Sequence, residues 1–176
     1  EDFFIGDRTV CYADWFCTPW ARFLRWIKPR RAGHKNVGFK DSMLNALDIL
    51  GSGPRFLCLG HTPRALRRSF YEDFFGRRED VMLRNIKHRF RNSEQFNSQE
   101  LFYMSEVRAG RCIVKPLDKK ILYLKPRKSQ TYIDNKLAAF RRNDKAVFCC
   151  INALCLATEE EQKKVLEWME ERLGVS

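Results

Sequence analysis

The sequence lacks the short motifs that mark nucleotide-binding and metal-dependent enzymes. No dinucleotide-binding glycine pattern occurs, and the GSGP segment at 51–54 has no Gly-Lys-Ser/Thr ending to cradle a phosphate. The three histidines, His34, His61 and His88, are not spaced to complete a zinc site and belong to no Ser–His–acid or Cys–His signature. We therefore predict that the protein is not an enzyme and that it uses no cofactor and no metal.

Long apolar runs and paired cysteines are missing as well. The longest apolar stretch, 146–157, falls short of the ~20 residues that a membrane-spanning helix requires, and no secretory signal is predicted at the start. The seven cysteines form no C-x-x-C pair, and their number is odd. Most of them are predicted to be small buried hydrophobes in a reducing compartment, and a bridge between Cys11 and Cys17 is the less favoured alternative.

Basic and aromatic residues are abundant instead. Lysine and arginine outnumber aspartate and glutamate by 33 to 22, which gives a net charge of +11, and a surface this basic attracts phosphate, anionic lipid or acidic protein. Aromatic residues make up 13% of the chain, with 14 phenylalanines, which indicates large contact surfaces in a core or an interface. A hydrophobic content of 44% over 176 residues predicts a folded domain with a real core and room for extensions.

Residues 1–61 are predicted to form an aromatic and basic arm with short helices. One of these helices is expected to begin at Thr18-Pro19. A basic helix with tryptophan on one face suits an anionic lipid surface or, as we favour, a protein neighbour. The apolar face of this helix is expected to consist of Trp20, Phe23, Leu24 and Ile27, with Arg22, Arg25 and Lys28 outside it.

A basic helical hairpin is predicted over 80–111. Its second helix is expected to begin at the cap Asn97, with Glu100 returning the capping bond and Phe96 packing onto Leu101, and to end at Gly110. The first helix is expected to bury a stripe formed by Met82, Leu83, Ile86 and Phe90. On its other side lie Arg84, Lys87, His88 and Arg91, with Arg89 at the edge of the stripe.

The remaining pattern predicts further helices and one extended arm. Helices are expected to begin at Asp41, Thr62-Pro63, Asp134, Asp144 and the capping box of Thr158. The helix that begins at Asp144 is nearly all apolar and is therefore expected to be buried. The segment 112–133 is broken by two prolines and is expected to be an extended basic arm, with Lys119, Lys120, Arg127 and Lys128.

The segment RNIKHRFRN, residues 84–92, resembles the second-helix motif of the LYR family, in which arginines precede a phenylalanine that is followed by a basic residue and an asparagine. Tyr71 lies in the nearest match to the family's triplet, with Glu72 in place of the basic residue. The resemblance covers 62–111 and implies a three-helix module of the mitochondrial accessory-subunit or assembly-factor type. It also implies that Phe90 lines an acyl pocket and that an acidic acyl carrier protein meets Arg84, Lys87, Arg89 and Arg91.

Together these patterns predict a mainly α fold. A three-helix LYR-like bundle at 62–111 would join the arms 1–61 and 112–133 to a C-terminal helical pair at 134–176. The predicted function is that of a non-catalytic accessory subunit of a mitochondrial inner-membrane respiratory complex, on the matrix side, that holds neighbouring subunits through basic and aromatic surfaces. The alternative is a mitochondrial ribosomal protein that contacts rRNA. Contact with phosphate or lipid is assigned to Arg22, Arg25, Lys28, Arg30, Arg31, Lys119, Lys120, Arg127 and Lys128.

Overall fold

Strands and helices are mixed along the chain in the computed structural model, which describes residues 3–27, 39–51, 53–89, 92–117, 121–126 and 129–174. These residues form seven α-helices and six β-strands in two sheets, an α/β fold. The prediction of a mainly α protein built on a three-helix bundle is therefore wrong. The chain divides into two compact units, Glu1–Gly60 with Arg64–Pro116 and His61–Pro63 with Leu117–Ser176.

A single long strand organises the sheet of the first unit. This strand, β2 (Arg8–Cys17), pairs with the short β1 (Phe4–Ile5) and with β3 (Arg55–Leu59) in antiparallel fashion, and with β4 (Cys112–Lys115) in parallel. Aromatic and β-branched residues suit an extended backbone, and β2 contains three aromatic and two β-branched residues. The segment was expected to be an irregular arm, because its sequence carries no signal for partners that lie far along the chain.

Five helices accompany this sheet, and two of them build its core. The predicted apolar spacing is confirmed in α2 (Phe39–Ile49), where Met43, Leu44 and Leu47 are buried against β3 and α5 (Ser98–Arg108). The N-cap of α5 is also confirmed, because the Asn97 side chain accepts a hydrogen bond of 2.9 Å from the Gln99 N–H. The five helices are α1 (Thr18–Ile27), α2 (Phe39–Ile49), α3 (Arg68–Gly76), α4 (Glu79–Ile86) and α5 (Ser98–Arg108).

The predicted apolar stripe of α4 is wrong in its phase. Leu83 and Ile86 are 51% and 64% exposed, and the helix buries Val81 instead. The reason is polar, because Oδ1 of Asn85 accepts a hydrogen bond of 2.9 Å from the Phe96 N–H. The backbone carbonyl of Asn85 accepts one of 2.8 Å from Nε2 of Gln95. Since partly buried backbone groups must be satisfied, these bonds turn the Asn85 side of the helix inward.

The second unit is a small strand–helix–strand arrangement with one more helix. Its strands β5 (Ile121–Leu124) and β6 (Phe148–Ile151) run parallel, and the helices are α6 (Gln130–Arg141) and α7 (Glu159–Leu173). The capping box of Thr158 at the start of α7 is confirmed. The buried core of this unit comprises Leu122, Leu124, Ile133, Leu137, Phe140, Val165 and Trp168.

The predicted buried helix that begins at Asp144 is wrong, because β6 occupies its apolar part. A run of four apolar residues fits a strand as well as a helix, and pairing with β5 decides the outcome. The α6 helix begins earlier than predicted, since Ser129 rather than Asp134 caps it, through a bond from the Tyr132 N–H. Within the described ranges no helix combines the length and the apolar character needed to cross a lipid bilayer.

Replacing Phe102 by alanine should destabilise the first unit strongly. Phe102 is fully buried, and its ring lies 5.1 Å from the Phe70 ring and 6.0 Å from the Tyr71 ring, measured between centroids. We expect the free energy of unfolding to fall by about 3–5 kcal/mol in urea titrations followed by circular dichroism. Leu83→Ala is the control, with a change of less than about 0.5 kcal/mol at its exposed site. Similar losses in the two variants would contradict the core described above.

Candidate functional site

The residues that the sequence assigned to an acidic partner are spread over a core and a surface. Tyr71 is half-buried in the first unit, where its hydroxyl donates a hydrogen bond of 3.1 Å to the Ser98 carbonyl. On α4 the exposed Arg84 lies 4.0 Å from the Asp80 carboxylate. Just beyond that helix, Lys87 forms an ion pair of 2.9 Å with Glu94.

The remaining residues that were predicted to bind the acidic partner are Arg89, Phe90 and Arg91. Arg89 is exposed and has an interaction partner of its own. Phe90 and Arg91 lie outside the described residues. The predicted acyl pocket around Phe90 therefore stays a prediction.

The predicted phosphate or lipid contacts fall mostly beyond the described residues. Arg22 of α1 forms an ion pair with Asp48 of α2. The backbone of Arg25 lies in the same helix, but its side chain is outside the description. Also outside it are Lys28, Arg30, Arg31, Lys119, Lys120, Arg127 and Lys128.

A different set of basic residues surrounds a cleft of about 520 Å³ next to α3. Four arginines reach it, from the two ends of α3 and from the end of α5. Two phenylalanines on α3 supply apolar surface. The lining consists of Arg67, Arg77, Arg78, Arg111, Phe70, Phe74, Ser69, Asp73 and Glu106. We call this the arginine cleft.

The chain delivers these arginines at points where helices begin or end. Arg67 is the N-cap of α3, and Arg77 and Arg78 fill the turn between Gly76 and α4. Arg111 follows the end of α5, where Gly110 adopts a φ of 70° that favours glycine. The sequence carried a signal that was overlooked, since arginine doublets at 67–68 and 77–78 flank a helix rich in phenylalanine.

A buried carboxylate orients two of the four arginines. The side chain of Glu106 is only 2% exposed, and its Oε1 accepts a bond of 2.5 Å from Nη2 of Arg111. Its Oε2 lies 4.0 Å from Nε of Arg67. A carboxylate buried without partners would be strongly unfavourable, so both arginines are held toward it. The hydrogen bond and the charge of Glu106 in turn raise the pKa of Arg111 above its usual value.

The remaining two arginines differ in how they are held. Nη1 of Arg78 donates a hydrogen bond of 3.0 Å to the Ile49 carbonyl, and its guanidinium lies 5.4 Å from the centroid of the Phe74 ring. Within the described ranges, the Arg77 guanidinium has neither an ion-pair nor a hydrogen-bond partner. With four guanidinium groups and the two carboxylates of Asp73 and Glu106, the arginine cleft carries two net positive charges.

A second buried carboxylate lies in the first unit but does not line the arginine cleft. Glu100 is fully buried, and neither of its carboxylate oxygens has a hydrogen-bond partner among the residues that the structure describes. Burial raises the pKa of Glu100 to about 7, although the charge of Arg64 acts in the opposite direction. The predicted capping bond from Glu100 back to Asn97 is therefore wrong.

The cysteines are all free thiols, so the alternative of a Cys11–Cys17 bridge does not hold. Cys11 is buried, but the prediction that most of the cysteines are buried is wrong, because three are half-buried and Cys17, Cys149 and Cys155 are exposed. A hydrogen bond with Cys112 and burial raise the pKa of Cys11, and the same bond lowers the pKa of Cys112. Among the described residues no group of three or more histidine, cysteine or acidic side chains is placed to hold a metal ion.

No family model matches the chain, and no curated protein matches it.

Replacing Glu100 by glutamine should change how stability depends on pH. With a pKa raised from its ordinary 4.5 to about 7, folded Glu100 stays protonated over a range in which the unfolded chain has already ionised. The free energy of unfolding of the wild type should therefore fall as pH rises from about 4.5 to about 7, by on the order of 3 kcal/mol, and then level off.

Urea titrations at a series of pH values measure this effect. Glu100→Gln should gain stability relative to the wild type across that window, because a glutamine side chain does not ionise. Glu79→Gln, which removes an exposed carboxylate of α4, is the matched control for the loss of one negative charge. A difference between Glu100→Gln and the wild type that does not change with pH would mean that Glu100 is not desolvated in the folded protein.

Proposed function

We propose that the first unit is a non-catalytic binding module that takes a phosphate monoester into the arginine cleft. The observation that carries this proposal is the excess of guanidinium groups over carboxylates around a concave site. One of these guanidinium groups, that of Arg77, has no partner in the described part of the chain. An unpaired guanidinium beside three oriented ones favours an anionic ligand with several oxygens.

The charge of the cleft favours phosphate over a carboxylate. Two net positive charges match a phosphate monoester, which carries about −1.5 to −2 at pH 7. The planar fork of a guanidinium donates two parallel hydrogen bonds to two oxygens of one phosphate, and a lysine ammonium does not. Several arginines around one site therefore suit a group with three terminal oxygens better than a group with two.

The orientation of the arginines before binding supports the same ligand class. Glu106 holds Arg111 by hydrogen bonds and Arg67 by charge, while the Ile49 carbonyl and the Phe74 ring hold Arg78. Side chains that are already ordered lose less conformational entropy when a ligand arrives. The cost of ordering falls mainly on Arg77.

The size of the cleft and its phenylalanine rings favour an ester over free inorganic phosphate. A volume of about 520 Å³ lies within the ~300–1,000 Å³ range of small-molecule sites and exceeds the needs of a phosphate alone. The Phe70 and Phe74 rings, with centroids 5.5 Å apart, provide apolar surface for the organic part of the ligand. The recognised chemistry is the same whether the ester belongs to a small molecule or to a phosphorylated side chain.

The broader roles inferred from the sequence stay predictions. The accessory-subunit hypothesis assumes a three-helix module, and the described residues fold differently. The part that we keep is a basic surface that binds an acidic or phosphorylated partner. The acyl carrier protein and the mitochondrial location also stay predictions. The ribosomal alternative depends largely on basic residues outside the described ranges, whereas the arginine cleft is concave and suits a terminal phosphate.

Titration of the protein with phenyl phosphate tests the proposal. Arg77→Gln should weaken binding by about tenfold or more, because it removes charge-assisted hydrogen bonds to the phosphate. Isothermal titration calorimetry measures the dissociation constant. Inorganic phosphate should bind more weakly than the ester, because it does not contact the Phe70 and Phe74 rings.

Arg84→Gln is the matched control, since it removes one exposed arginine that does not line the arginine cleft. It should bind phenyl phosphate as the wild type does. Equal losses in the two variants would show that binding reflects overall charge only. A lack of saturable binding by the wild type would remove the proposal.

A further inference from the structure

An aromatic ladder stands exposed along one side of α1. Trp20, Phe23 and Trp26 are spaced three residues apart and are 59%, 47% and 80% exposed. The centroid of the Phe23 ring lies 5.5 Å from that of Trp20 and 6.3 Å from that of Trp26, so the three rings form one continuous apolar strip. Apolar strips of this kind on a protein surface mark interaction sites.

The other side of α1 is fixed to the first unit, so the exposure of the ladder is a property of the folded protein. Thr18 is buried, and Ala21 packs against the main core of this unit. Arg22 forms an ion pair with Asp48 of α2. The sequence predicted that Leu24 shares a face with Trp20 and Phe23, but Leu24 is partly buried while both aromatic residues point outward.

We propose that α1 is an interfacial helix that docks the protein on anionic lipid bilayers, with Trp20, Phe23 and Trp26 in the headgroup region. The proposal concerns residues outside the arginine cleft and does not depend on the proposed function. It replaces the expectation of a protein neighbour and assigns the exposed aromatic side of α1 to one occupant, a lipid surface.

Charge is the first reason for choosing lipid. Between Asp14 and Asp41 the sequence contains seven lysines and arginines and no acidic residue. Basic residues beside an amphipathic helix attract the negative surface of membranes that contain anionic lipid. Such a segment does not by itself exclude an acidic protein, so the choice depends on the chemistry of the ladder as well.

The composition of the ladder is the second reason. Two of its three members are tryptophan, whose ring has an apolar body and a polar N–H, and this residue is enriched where lipid meets water. At 1.5 Å per residue the ten residues of α1 extend ~15 Å, which is enough to lie in the interface and far too short to span it. Both features fit a helix that lies flat on a bilayer.

Vesicle sedimentation of the full chain tests the proposal, with vesicles of phosphatidylcholine alone and of phosphatidylcholine mixed with phosphatidylserine. The wild type should sediment with the mixed vesicles and bind the neutral ones weakly. Tryptophan fluorescence should shift to the blue on binding, as indole rings leave water. The double variant Phe23→Ser, Trp26→Ser should lose about tenfold or more in apparent affinity, since it removes two of the three rings that enter the headgroup region.

Two control variants make the outcome specific. Trp15→Ser removes an exposed tryptophan of β2 outside the ladder and should leave binding unchanged. Arg77→Gln separates the two sites, because vesicle binding equal to that of the wild type supports the ladder, whereas a loss would assign lipid binding to the arginine cleft. Circular dichroism of each variant verifies that α1 and the sheet remain folded.

Several results would overturn the proposal. One is the absence of binding by the wild type to the mixed vesicles, and another is equal binding by the ladder variant and the wild type. A third is a concentration-dependent dimer in analytical ultracentrifugation that the ladder variant abolishes, which would assign the ladder to a second copy of the chain. Loss of vesicle binding in the ladder variant alone supports the lipid assignment.

Discussion

The pairing of β2 with strands from distant parts of the chain is the constraint on which the first unit depends. The Thr9 N–H and hydroxyl both donate to the carbonyl of Arg111, which lies 102 positions further along the sequence. That pairing aligns β4 with β2 and fixes where α5 must end. The Arg111 side chain lines the cleft, and its backbone carbonyl takes part in the pairing of β4 with β2. The position of the candidate site therefore follows from the register of these strands.

Polar groups decide local orientation where apolar periodicity alone would mislead. Asn85 satisfies the Phe96 backbone and so rotates α4 until Leu83 faces solvent. Glu106, buried at the end of α5, draws Arg111 and Arg67 to the cleft. In both cases an unsatisfied polar group in the interior would cost more than an exposed aliphatic side chain. At the end of α5, Arg111 and Arg67 therefore gather around the buried Glu106.

The two candidate surfaces of the first unit differ in chemistry. The arginine cleft is concave and positively charged, and it suits a small anionic group with directional oxygens. The ladder on α1 is convex and aromatic, and it suits an extended surface with no fixed geometry. One protein can combine the two, because selective binding and attachment to a surface require different kinds of contact.

Local signals were readable from the sequence, and long-range pairings were not. Asn97 and Thr158 cap their helices as predicted, and α2 buries its predicted face, because these interactions close within a few residues or follow one helical period. The sequence also determined the basic and aromatic character of α1. The tertiary structure decided the pairing of the sheets and the phase of α4. It also decided which arginines line the cleft, between Arg67 and Arg111 in the sequence. Their partners lie tens of residues apart, and only the folded backbone brings such groups within hydrogen-bonding distance.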